Sequence, residues 1–523
     1  MTADLIKRRF TRRRLLQSAV AVGVTAAAQP CYSLAKGGKR LRVRSATDIM
    51  NLDPGFHSVL ADAHVMACIF AYLATYETNT GQWGWEPQAA RTLRQLDPTH
   101  IAFELHPGIL FSDGYGEMTA EDVKFSIERI ADPTVKSPFA EDWAALDHIE
   151  LTDRYSGTIV LKRPFAPLWS VTLPGESACI MSRKAMAAAG GRFSARPPCT
   201  SGPYRIKRWE PKTQLLLERN PDWKLSRPTF DEIEILPIDN EKSAEYGFRA
   251  GDLDFTKTSV SSIPRLLKSP PAEAKFVRLP SLDYVWLGIN QDNEPFKDIR
   301  VRQAVQYAVN REAIVDAAYL GAAETATGLV APGLPGCRKA NLTHQDLDKS
   351  KALLRQAGLA RGFPCTLTTL NLPERLAAAQ VIQANLAEVG ITVQINRHDS
   401  GTFWSLGAES AGDAWKSLQL ILNRFTMRPD PSFAARWFTP AQIGTWNWER
   451  FNSKEYAQLS DKALAELDPA KRADIYVRMQ DLMEESGDYV FLTHEAVGVL
   501  WSDEIVPALR PDGTPFMPGF RRA

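Results

Sequence analysis

The run HPGILFSDGYGEMTAEDVKFSIER, from His106 to Arg129, reads as two turns followed by a helix. Gly108 and Gly114 relieve backbone strain where the chain reverses, and Asp113 can hold its loop through side-chain hydrogen bonds, so Phe111-Ser112-Asp113-Gly114 is a turn. Thr119 then opens a helix, with Asp122 as the acidic half of a capping box. Val123, Ile127 and Ile130 recur at helical spacing and form its buried stripe. Glu121 and Asp122 fall in the first turn, where carboxylates complement the helix dipole, a structural role that outweighs acid–base catalysis.

Around this run, strands and helices alternate. His100 to His106 reads as a strand with Ile101, Phe103 and Leu105 on one face, and Ile149 to Leu161 as a hairpin broken at Tyr155-Ser156-Gly157. Leu41 and Val43 begin an extended run. Strands are expected at Gln214–Leu217, Ile233–Leu236, Phe276–Leu279 and Tyr284–Ile289. Helices dominate from about residue 297: Val301, Val305 and Ala308 share a face, a second helix begins near Asn310, and Leu353 and Leu354 lie in a helix stopped by Gly358. Pro373 to Val389 is closed by Gly390 and followed by strand Ile391 to Ile395. One later helix carries Leu459, Ala463 and Leu467, and the next has Asp468 as N-cap, Pro469 after it, and Ile475, Met479 and Leu482 inward. Mixed elements in both halves imply an α/β protein of two lobes or more.

The 523 residues suggest about three lobes at roughly 150 residues each. With 44% hydrophobic and 24% charged residues the chain is globular, and a net charge of +1 provides no basic field for nucleic acid. The N-terminus reads as an export signal rather than fold. Lys7, Arg8, Arg9, Arg12, Arg13 and Arg14 form a basic head, Leu15 to Ala28 is uncharged and apolar, and Ser33-Leu34-Ala35 offers a cleavage site. Thr11-Arg12-Arg13-Arg14-Leu15-Leu16-Gln17 looks like a twin-arginine signal, the alternative being an ordinary secretory signal with extra arginines. Cys31 after Pro30 does not fit lipoprotein cleavage, so no lipid anchor is expected. Residues 1–35 carry six cations and one acid, so the mature chain has a net charge of −4 (+1 minus +5). It keeps Cys68, Cys179, Cys199, Cys337 and Cys365, an odd set, in which Cys179 and Cys199 are the best pair because they flank a Gly/Pro-rich loop.

The search for catalytic motifs finds no nucleophile elbow, no phosphate-binding loop, no dinucleotide fingerprint and no zinc-protease helix. His57 and His64 are seven apart and could share a helix face, but two ligands do not make a metal site, and no cofactor is expected. His494-Glu495 is equally bland.

The His106–Arg129 run resembles the signature of the family 5 extracytoplasmic solute-binding proteins, the peptide- and nickel-binding subunits of ATP-driven importers. Further blocks agree in order: Asn51-Leu52-Asp53-Pro54, Thr200-Ser201-Gly202-Pro203-Tyr204, Glu218 to Trp223, Phe296 to Val315, Ile382 to Ile395 and Arg450 to Leu459. The resemblance spans about 41 to 500 and implies a two-lobed periplasmic binding protein fold of the cluster C type, with an extra inserted subdomain and strand hinges. It maps the first lobe to 36–80, 200–285 and 491–523, the insert to 81–199 and the second lobe to 286–490. Of Arg300 and Arg302, which point to different helix faces, one is expected to dock on the neighbouring lobe. It also implies a monomer that captures a small peptide, or a peptide-like or organic anionic solute, in the periplasm and delivers it to a membrane permease. The rivals are an exported enzyme and a sensor or chaperone module on the same scaffold.

In peptide-binding relatives an aspartate near the second-lobe strand grips the peptide amine. Here the strand Leu418, Leu420, Leu422 runs into Asn423, Arg424, Phe425, Thr426, Met427 and Arg428 before the acid-proline turn Asp430-Pro431. No acid stands at Thr426 or Met427. Two readings are open: Arg424 or Arg428 reaches an anionic group on the solute, or both pair with surface acids such as Asp430. Trp404, Trp415 and Phe425 either stack on a ligand or pack in a core. From the first lobe, Phe56 and His57 are placed to face the cleft, as are Tyr284 and Asn290 near the lobe crossing.

Overall fold

A computed structural model describes residues 40–193 and 195–523, so the expected export signal, residues 1–35, lies outside the described residues. The backbone is organised by an 11-stranded mixed sheet. Its spatial order is Tyr204–Glu210, Gln214–Arg219, Glu232–Pro237, Arg40–Ser45, Phe255–Thr258, Tyr489–Ser502, Ala274–Ile289, Leu420–Thr426, Pro364–Leu370 and Thr392–His398, with Glu324–Thr325 pairing to one side of Tyr489–Ser502. Two strands are much longer than the rest, Ala274–Ile289 with 16 residues and Tyr489–Ser502 with 14, and they pair with each other.

That pairing is broken in the middle. Pro280 lies opposite Ala496 and Tyr284 opposite His494, so Ser281, Leu282 and Asp283 together face Glu495 alone. Pro280 has no N–H to give to a ladder, and the extra residues bend the strand. A second shift at Val285/Trp286 skips Leu492 on the partner. The two strands expected at Phe276–Leu279 and Tyr284–Ile289 are therefore one strand with a bulge. Of the long pair, Phe255–Thr258 meets the far part of Tyr489–Ser502, at Gly498 to Trp501, whereas Leu420–Thr426 meets Asp283 to Ile289 of the other strand.

Separate apolar cores lie on the two sides of the bulge. One gathers Leu41, Val43, Ile69, Phe70, Tyr204, Leu217, Ile233, Phe255 and Phe520. Another surrounds Leu287, Val305, Ile314, Leu367, Ile382, Leu386, Ile391 and Leu420. A third belongs to a four-stranded antiparallel sheet, in order Ala90–Asp97, His100–Leu105, Ser156–Leu161 and Leu146–Leu151, covered by helix Ala120–Ala131. Val123, Ile127 and Ile130 are the buried stripe of that helix, and Asp122 accepts from the Thr119 amide and hydroxyl, each at 3.0 Å, as the capping box requires. The hairpin turn falls at Thr152–Tyr155, and Ser156 and Gly157 are already strand, paired with Glu104 and Phe103.

Two expectations are corrected. Cys179 and Cys199 are not bonded; all five described thiols are free. Cys179 forms a short strand pair with Tyr72 and packs in the first core, while Cys199 packs with the four-stranded sheet. Arg302 does not reach the neighbouring lobe. Its guanidinium binds the Phe296, Lys297 and Ser486 carbonyls and lies 2.6 Å from Asp488, while Arg300 pairs with Asp298 on its own helix cap. No helix among the described residues is long and apolar enough to cross a membrane.

Candidate functional site

The strand Leu420–Thr426 is buried on both faces through Asn423, becomes more exposed to Thr426, and leaves the sheet through Met427 to Asp430 into the short helix Pro431–Ala435. Asp430 caps that helix through the Ser432 amide at 3.0 Å, and its buried carboxylate is held by both terminal nitrogens of Arg472 at 2.7 Å. Burial alone would push the acid up, but Arg472 and hydroxyl donors outweigh it and hold it below the ordinary carboxylate range. One of those donors, Ser170 Oγ at 2.6 Å, comes from the segment following the four-stranded sheet.

Other contacts join the same two regions. Arg428 Nη1 lies 2.7 and 2.8 Å from the two Asp142 oxygens, and its guanidinium sits between the rings of Phe139 (5.6 Å) and Phe433 (4.9 Å). Arg436 pairs with Glu141 and covers the Phe433 and Trp437 rings at 4.4 and 4.1 Å. The Ala166 amide donates to the Leu464 carbonyl at 2.8 Å. These contacts join residues 139–170 to residues 428–472. Arg424 is engaged elsewhere, at the strand bulge: its Nε donates to Glu495 at 3.0 Å and its Nη2 lies 2.7 Å from Asp283. Glu495 also accepts from Tyr319 at 3.0 Å and from buried Arg375. Both arginines singled out from the sequence are therefore paired with acids, though not with Asp430.

Phe425 is the hub of an aromatic wall. Trp404 stacks on it at 5.4 Å, and Tyr284, Trp286 and Trp446 meet its ring edge-on at 6.2, 5.5 and 5.8 Å. Tyr284 and Trp286 are buried and stack at 5.2 Å, with Trp286 Nε1 donating to Glu449 at 2.7 Å. Trp415 lies apart, under the Arg450 guanidinium at 4.3 Å. Asn423 is buried and accepts from the Arg424 amide; Asn290 is buried and donates to the Leu418 carbonyl, so both serve the backbone.

On the opposite side, His57 stacks on Phe139 at 4.1 Å, which extends the stack Phe139–Arg428–Phe433 by one ring. Phe56 instead lies beneath Arg192 at 3.7 Å, beside the buried Arg129–Asp53 pair. Tyr76 packs against Trp83 at 5.5 Å and beneath Arg510 at 4.6 Å, and its hydroxyl donates to the Ser170 carbonyl at 3.1 Å. His64 is half-buried, its pKa pushed down to about 4 by desolvation and by Lys257 and Arg510, so its ring is neutral. Among the described residues no group of three His, Cys, Asp or Glu side chains could hold a metal ion.

Sequence reasoning missed Trp286, Trp446, Arg436, Phe139, Asp142 and Ser170. Trp286 was within reach, since it stands two residues from Tyr284 on one strand, the spacing that puts side chains on the same face. Phe139, Asp142 and Ser170 carry no local signal, because their role arises only where the four-stranded region meets the second half of the large sheet.

Comparison with known proteins agrees with this architecture. The profile of bacterial extracellular solute-binding proteins, family 5 Middle, matches residues 85–444. The glutathione-binding protein GsiB of Pectobacterium atrosepticum is 27% identical over 403 residues, covering 75% of this chain and 76% of its own. Two solved structures share the fold: HbpA2 from Haemophilus parasuis, with a TM-score of 0.81 at 21% identity over 92% of this chain and all (100%) of its own, and the periplasmic binding protein DppA from Helicobacter pylori with peptide STSA, with a TM-score of 0.74 at 22% identity over 93% and 98%.

Proposed function

Because the chain belongs to the bacterial extracellular solute-binding proteins of family 5, we propose that it is the periplasmic receptor of an ABC-type importer. It captures a small peptide, or a peptide-like or organic anionic solute, between two lobes and hands it to a membrane permease. The twin-arginine-like head at Thr11 to Gln17 is its route out of the cytoplasm. In this reading the first lobe takes residues 36–80, 200–285 and 491–523, the inserted subdomain 81–199 and the second lobe 286–490, and the chain works as a monomer.

The observation that carries the reading is the set of contacts joining residues 139–170 to 428–472. Arg428 is held by Asp142 and flanked by Phe139 and Phe433, so one side chain of the second lobe is gripped by the insert. The connection behind it runs through two long strands whose pairing is bulged at Ser281–Asp283. Jaws on a bent strand pair are a hinge-closure device, and a solute bound between them stabilises the closed form by its preference for it. The glutathione ligand of GsiB and the peptide held by DppA support a small peptide-like solute. Native mass spectrometry of the mature chain from its own periplasm tests the reading. A stoichiometric, chemically unaltered solute is expected; a chemically converted product would replace the receptor with an enzyme.

A further inference from the structure

At one point the large sheet narrows to its two long strands. Phe255–Thr258 pairs with Gly498 to Trp501, Leu420–Thr426 with Asp283 to Ile289, and Glu324–Thr325 with Thr493 and His494. Among the described residues none of these strands is laddered to Leu279–Ser281 or to the facing Glu495–Val497. The remaining ladder fails at the same place, where Ser281, Leu282 and Asp283 face Glu495 alone, so backbone pairing restrains the bend weakly. A side chain crosses this waist. Arg424 is the sheet partner of Val285, and its strand lies two places from Tyr489–Ser502, about 10 Å at ordinary strand spacing. Its guanidinium spans that gap: Nε donates to Glu495 at 3.0 Å while Nη2 lies 2.7 Å from Asp283. One arginine therefore holds an acid from each of the two strands that form the waist. Both acids are fixed from elsewhere. Glu495 accepts from Tyr319 at 3.0 Å and from buried Arg375, which stand on the helices Arg311–Tyr319 and Pro373–Ala387. Asp283 accepts from Thr426, its cross-strand partner, and its amide donates to the Ser281 hydroxyl at 3.0 Å inside the bulge.

We propose that Arg424 is a strap across this waist that selects one bend of the long strand pair and so sets how firmly the second lobe and the insert stay joined. A change of bend alters the separation of Asp283 and Glu495, and a planar guanidinium with fixed donor directions satisfies both acids at one separation only. Any other bend breaks one arm of the fork and leaves a carboxylate short of a donor. The contacts Arg428–Asp142 and Ser170–Asp430 are made at the bend that the strap holds. The proposal rests on the hinge of the receptor reading and names the residue that governs it.

Hydrogen exchange read by mass spectrometry, with small-angle scattering, tests this on the mature chain without any solute. Arg424→Gln should speed exchange across residues 276–286 and 491–499 about fivefold to tenfold, between the factors for an exposed ion pair and for an enclosed charged hydrogen bond, and should enlarge the radius of gyration. Arg424→Lys keeps the charge without the fork and should fall between that variant and the parent. Tyr319→Phe removes a donor to Glu495 outside the fork and should leave the scattering profile as in the parent. Thermal melts establish folding; if Arg424→Gln does not fold, Asp283→Asn cuts one arm of the fork and should show the same changes. Unaltered exchange and radius overturn the strap. Faster exchange at an unaltered radius, or Tyr319→Phe enlarging the radius as much as Arg424→Gln, also overturns it and reduces Arg424 to a local stabiliser. A chemically converted product in the native mass spectra overturns the receptor and leaves the strap standing.

Discussion

Asp430 answers Arg472, Ser432 and Ser170 at once, so Asp430→Ala leaves Arg472 buried without its counter-ion. Breaking such a buried pair costs about 3–5 kcal/mol, and urea unfolding should register a loss of that size. Glu449 carries the opposite sign of electrostatic cost. Burial raises its carboxyl to about 7, with the Trp286 donor opposing, and its second oxygen has no partner. Below its ordinary pKa of 4.5 the carboxyl is protonated in both folded and unfolded chains; above about 7 it is ionised in both, and the fold bears the cost. Stability therefore falls as pH rises between these values, by on the order of 3 kcal/mol from this group. Asp488, also raised by burial, adds a slope of the same sign. Glu449→Gln should flatten the decline between pH 5 and 8 in denaturant titrations, leaving the Asp488 part; an unchanged slope would assign all of it elsewhere. Gly288 belongs to the same packing, because a methyl there would run into the Glu449 carboxylate.

At the level of elements, Glu495 sits where three residues of the facing strand crowd one. It binds Arg375, Tyr319 and Arg424, which come from a helix, a second helix and the strand Leu420–Thr426 beyond the facing one. Glu495→Ala leaves Arg375 buried and unpaired and should cost about 3–5 kcal/mol, with Arg424 contributing less because it is partly exposed. Such elements differ in how far the sequence reveals them. The capping box at Thr119, the Asn310 and Asp468 caps and the helix closed by Gly390 were legible because each is set by neighbours a few residues apart. The single long strand was not, since Pro280 signals a break and only pairing with Tyr489–Ser502 carries the chain through it. The partners of Arg424 and Arg428 were equally hidden: Asp142 is 286 residues from Arg428, and no periodicity links them.

For the whole molecule, closure in the proposed receptor depends on how much the contacts between residues 139–170 and 428–472 contribute. The Arg436–Glu141 pair has an acid 73% exposed and is worth about 0–1 kcal/mol, so Arg436→Ala should barely move the balance. Arg428 is more enclosed, and Arg428→Ala loses a charged hydrogen bond worth about 1.5–3 kcal/mol. Small-angle scattering should show Arg428→Ala shifted to a larger radius of gyration, with solute affinity lowered by the fraction of chains no longer closed. An unaltered scattering profile would mean that the arginine is incidental to closure. The long strand Tyr489–Ser502 also bears on how the protein is made. It lies between Phe255–Thr258 and Ala274–Ile289, in the middle of the sheet, yet it leaves the ribosome after the other ten strands of that sheet. Until it emerges, the earlier strands form two unconnected fragments with bare edges. The sheet must therefore stay unfinished until that strand is made, and a product truncated before residue 489 would present two sticky sheet edges to chaperones and proteases.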